Sequence, residues 1–99
     1  MRLALVVLAL APLAGCGPIQ STASLIDADV ELEAARAAGA ATSSPYEFTG
    51  AEAYLHKARE VAGHAQYGAS ATFAGRARDL AREARKNASA ASNKDQESL

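Results

Sequence analysis

Alanine at helical spacing constrains this chain more than any other feature. From Cys16 onward alanine fills 22 of 84 positions, whereas Ile, Leu, Val, Phe and Tyr together fill 14. Alanine is the best helix former, and its methyl group lets helices approach closely while burying little apolar area. Such a chain reads as all-α with thin helix interfaces. The single cysteine rules out an internal disulfide, so stability must come from packing alone, and the domain is expected to lean on a membrane, a partner or a second copy of itself.

The periodicity divides the chain into a small antiparallel three-helix bundle, up-down-up, with helices at about 22–38, 45–62 and 67–87. Ser21 or Thr22 caps the first, Asp27 and further acids lie early in it, and Gly39 stops it. Residues 39–43 read as a flexible loop. Ser44-Pro45-Tyr46-Glu47 is the clearest start signal: serine caps, proline fits the first helical position, and glutamate completes a capping box. Ala51, Tyr54, Leu55, Ala58, Val61, Ala62 and Ala65 then recur on one face. A turn is expected between Gly63 and Gln66. The third helix places Ser70, Phe73, Ala74, Ala77, Leu80, Ala81 and Ala84 on its apolar face, and the polar tail 88–99 is expected to fray.

Two groups of residues suggest surfaces. In the first helix Leu25, Ala28, Leu32, Ala35 and Gly39 form one stripe, while Ile26, Val30, Ala34 and Ala37 form another on nearly the opposite side, with acids between them. A peripheral helix needs one apolar face, so this helix is either an interaction element, with Leu25, Ile26, Val30 and Leu32 as partner-binding residues, or a chance pattern in an alanine-rich segment. In the third helix Arg78, Arg82, Arg85 and Lys86 share one side. They read either as a contact for anionic groups or as a solvated face favoured near a helix C-terminus.

Catalytic patterns are sparse. His56, Glu60 and His64 form a row, but eight residues rise about 12 Å, too far for both imidazoles to reach one metal ion. Their expected role is a solvated face with a His56/Glu60 contact. Gly68-Ala69-Ser70-Ala71-Thr72 lacks the last glycine of a nucleophile elbow, and no phosphate loop or metal site is read. With nine Lys and Arg against eleven Asp and Glu from Cys16 onward, nucleic acid is not an expected partner.

The amino terminus carries an address. Arg2 precedes an apolar run from Leu3 to Ala11, too short to span a bilayer, and Leu13-Ala14-Gly15-Cys16 follows. This resembles the lipobox of bacterial lipoproteins, which implies cleavage before Cys16, a diacylglycerol and an N-acyl chain on Cys16 as the only added groups, and the bilayer as a partner. Residues 1–15 are then a removed signal peptide and 16–21 a short tether. Gly17 in place of an aspartate implies the periplasmic face of the outer membrane.

The segment from Ser44 to Ala84 resembles the bacterial lipoproteins grouped as domain of unknown function 4398. The resemblance is carried by Pro45-Tyr46-Glu47, Ala51-Glu52-Ala53-Tyr54-Leu55, Lys57-Ala58-Arg59-Glu60, Gly63, Tyr67, Ala74 and Ala77. It implies a tetratricopeptide-like helical hairpin with no catalytic residues; some relatives add a peptidoglycan-binding domain, which is not read in these 99 residues. The functional expectation is a non-enzymatic outer-membrane lipoprotein that docks or scaffolds envelope proteins or peptidoglycan-associated components. The alternative is a structural spacer between outer membrane and peptidoglycan.

Overall fold

The computed structural model describes the backbone of residues 2–99 and the side chains from Gly17 onward. Met1 and the side chains up to Cys16, the lipobox among them, lie outside the described residues. The chain forms four helices, α1 (Arg2–Ala37), α2 (Ala40–Ser43), α3 (Pro45–Gly63) and α4 (Tyr67–Glu97), with no strand among the described residues. The all-α class is therefore as expected.

Several boundaries differ. Residues 17–21 are not an extended tether but part of α1, because Ser21 has a buried partner: its hydroxyl donates to Ser70 Oγ of α4 at 2.9 Å. Residues 40–43 form a helical turn rather than a loose loop, with Ala40 fully buried. The tail is helical to Glu97, since no residue between Ala88 and Glu97 breaks a helix and Ala88 itself is buried.

The turns follow local rules. Gly39 ends α1 with φ 83°, the left-handed conformation expected of a stop. Ser44 sits at the α3 cap with Pro45 behind it, but the capping box does not form: no cap bond is made by the side chain. The Ser44 hydroxyl instead donates to Glu47 Oε2 at 2.7 Å and accepts from Asn87 Nδ2 at 3.0 Å. The hydroxyl thus joins the local Glu47 carboxylate to α4 instead of capping the α3 backbone.

Residue pairs give the helix directions. Asp29 meets Arg59 and Arg36 meets Glu52, so α3 runs against α1. Ser44 meets Asn87 and Tyr54 stacks on Phe73 at 6.1 Å, so α4 runs against α3 and alongside α1. α4 is the central element, touching α1 and α3 each more extensively than those two touch one another.

Among the described residues, ten of the fourteen buried hydrophobic ones are alanine, and α4 buries only alanines and Ser70. Leu32, Phe48, Leu55 and Val61 supply the larger buried groups, while Leu25, Tyr54, Phe73 and Leu80 close the sides half-buried. α3 gains a close approach at Gly50, where an added Cβ would lie 3.1 Å from Leu80 Cδ1.

Candidate functional site

The two stripes of α1 part company in the fold. Ala28, Leu32 and Ala35 are buried and Leu25 is half-buried, whereas Ile26 and Val30 are 58% and 61% exposed. Leu25 and Leu32 thus belong to the core, not to an open partner-binding face, and the acids beside their stripe pair with cations of α3 and α4. Asp29 pairs with Arg59 of α3 at 3.0 Å, and Glu31 faces Arg82 and Arg85 of α4 at 3.3 and 3.4 Å. The outer stripe gains a member absent from the sequence reading, Ile19, at 73% exposure. Its spacing from Ile26 is seven residues, a signal hidden by treating 16–21 as a tether. Pro18, Ile19, Thr22, Ala23 and Ile26 line a shallow recess of about 380 Å³ on this side.

The basic row of α4 is not free for an outside anion as a unit. Arg82 and Arg85 turn to Glu31, whose side chain is only 15% exposed, and Arg78 contacts Asp79 at 3.2 Å. Glu31 Oε2 is buried and makes an ionic contact without hydrogen-bond geometry. Lys86 has no ionic partner among the described residues. The i, i+4, i+7 spacing located the row correctly, yet spacing on one helix cannot say which acids a neighbour brings.

A second surface lies between α3 and α4. Pro45, Tyr46, Thr49, Gly50, Ala53 and Tyr54 face Leu80 across an open apolar groove of about 510 Å³. Tyr46 is 82% exposed, and the Arg76 guanidinium sits 5.8 Å from the Tyr54 ring centre. Tyr46, Gly50 and Tyr54 fall at i, i+4 and i+8, with Thr49 and Ala53 at i+3 and i+7, so a second stripe was present in the sequence of α3. A third, more polar groove of about 410 Å³ runs between α1 and α4, lined by Gln20, Ser24, Tyr67, Thr72 and Arg78 over Gly17, Gly68 and Gly75.

Acid–base features are few. The Ser44 hydroxyl bond, helped by the Glu47 backbone, holds the Glu47 carboxyl below its ordinary value. His56 and His64 are exposed, and Glu60 pairs with Lys57 rather than with His56. Among the described residues no cluster of three His, Cys, Asp or Glu is placed to hold a metal ion, and no helix is long and apolar enough to cross a membrane. No family model, curated protein or solved structure matches the chain significantly.

Proposed function

We propose that the chain is a non-enzymatic lipoprotein of the outer membrane, held on its periplasmic face by acyl chains on Cys16, that docks or scaffolds other envelope proteins or peptidoglycan-associated components. One observation carries the reading: Leu13-Ala14-Gly15-Cys16 directly behind a short apolar run. Pro18 adds support. In the interior of a helix a proline lacks a needed N–H and clashes with the preceding turn, but in a chain that begins at Cys16 it stands in the first turn, where the N–H groups have no intrahelical partner. Two or three acyl chains make such attachment effectively permanent.

In this reading the domain is an antiparallel three-helix bundle with α3–α4 as a tetratricopeptide-like hairpin, akin to domain of unknown function 4398. Its contact surfaces for a protein partner or self-association are the Val30 side of α1 and the Tyr46/Tyr54 groove. The test is metabolic labelling with radioactive palmitate. The native chain takes up label and fractionates with outer membranes; Cys16→Ser does neither, and label persisting in that variant refutes the anchor.

One feature favours the spacer function as a second reading. α4 continues to Glu97 and carries Lys94 in its last turn. A spacer would appear covalently joined to muropeptides after cell-wall digestion, whereas a docking protein would not.

A further inference from the structure

Formal charge is distributed unevenly over the fold. Residues 17–26 and 61–75 contain no Asp, Glu, Lys or Arg. An even spread of the 20 such groups over the 84 residues from Cys16 onward would place about six in these 25 positions. In sequence the two segments are far apart. The fold brings them to one end: Ser21 bonds Ser70, Gly17 lies against Tyr67, and the turn after α3 returns the chain through Gln66 into α4. Ten helical residues rise about 15 Å, so the start of α1, the end of α3 and the start of α4 together form an uncharged cap. Immediately beyond it the ion pairs begin, with Asp29–Arg59 and the contacts of Glu31 with Arg82 and Arg85.

We propose that this uncharged cap is a bilayer-contacting surface, seated in the headgroup and upper acyl region of the membrane. The inference rests on the anchoring reading above and deepens it. Three observations converge. The cap is the end of the bundle nearest Cys16, and α1 runs unbroken through that position, so attachment there brings this end, and no other, to the lipid. Its outer surface carries Ile19 and Ile26, both well exposed, and burying such side chains is favourable in the interface zone, into which amphipathic elements sink about 5–10 Å. The rest of its exposed surface carries small or polar groups, among them Gln20, Thr22, Ala23, His64, Gln66, Gly68 and Ala69, and these segments hold no carboxylate, ammonium or guanidinium whose desolvation would oppose approach to lipid. The Tyr46/Tyr54 groove is lined by α3 and α4 alone and stays open to a partner when the cap is covered.

The chain has no tryptophan, so single tryptophans report depth. The chain beginning at Cys16 is prepared as Ile26→Trp, Ile19→Trp and, at the opposite end of the bundle, Tyr46→Trp. It is coupled through the Cys16 thiol to a maleimide lipid in phosphatidylcholine vesicles, which tests the cap independently of whether cells lipidate Cys16. With acyl chains brominated near the headgroup, emission is lost at positions 19 and 26 and unchanged at 46. Equal quenching at all three positions, or none at any, overturns the proposal. So does a blue shift at position 26 that depends on protein concentration without vesicles, because a second copy then covers the surface.

Discussion

Ala65 is the one non-glycine residue with positive φ, 60°, among the described residues. It closes α3 with paired bonds, Gln66 N–H to the Val61 carbonyl and Ala65 N–H to the Ala62 carbonyl, at 2.9 and 3.0 Å, a Schellman arrangement that normally uses glycine. A side chain there costs about 1–2 kcal/mol, partly offset by the freedom glycine loses on folding. Ala65→Gly is expected to stabilise the protein by about 0.5–1 kcal/mol, read as a higher urea midpoint with unchanged slope. The buried Ser21–Ser70 pair makes a different demand. Ser70→Ala alone strands the Ser21 hydroxyl and should cost about 1–3 kcal/mol, whereas Ser21→Ala with Ser70→Ala leaves no unmet group and should recover most of the loss. A double-mutant cycle by chemical denaturation separates these outcomes, and additive losses would remove the pair from the account.

At the scale of elements, α1 shows what hydrophobic spacing can and cannot decide. Period alone located two stripes, and it also located the faces of α3 and α4 that bury Ala51, Leu55, Ala58, Ala74, Ala77, Ala81 and Ala84. Which stripe of α1 turns inward depends on the apolar groups that α3 and α4 bring to it, and the polar pairs that accompany this join residues 30 to 54 apart: Asp29 with Arg59, Glu31 with Arg82 and Arg85, and Ser21 with Ser70. The same dependence hid the fate of the basic row and of residues 17–21, whose helical state rests on a contact that no local rule describes. Charging the two stripes therefore has unequal consequences. Leu32→Lys places an unpaired ammonium at a 6% exposed site in an alanine-lined core and is expected to abolish the cooperative thermal transition. Val30→Lys, on a 61% exposed site, should change stability by less than about 0.5 kcal/mol. Circular dichroism melts of both variants decide it; a folded Leu32→Lys protein would mean that the inner stripe is not buried.

Over the whole molecule, burial and helix do not end together. The three long helices share contacts from Ser21 and Ser70 at one end to Ser44 and Asn87 at the other, and Ala88 is the last buried residue. α4 nevertheless continues to Glu97, and every residue from Ser92 onward is exposed. Isolated helices shorter than about 12–15 residues are marginal in water, so this extension is held by propensity and by continuity with the packed part of α4, and it is expected to open locally without the rest. The polar composition that suggested a frayed tail agrees with its exposure but missed its helical geometry. Ending the chain after Ala91 should leave the melting temperature within about 1–2 °C, since residues beyond that point contribute no burial. Ending it after Arg82 removes Ala84, Asn87 and Ala88, with the contact that ties α4 to Ser44, and should unfold the domain outright. In hydrogen exchange the amides of 92–97 should exchange within the dead time, while those of Ala77, Ala81 and Ala84 are protected up to global unfolding. A large loss of stability on removing residues 92–99 would show that the extension packs against a surface of its own, and the bundle would then have to be redrawn around a longer α4 interface.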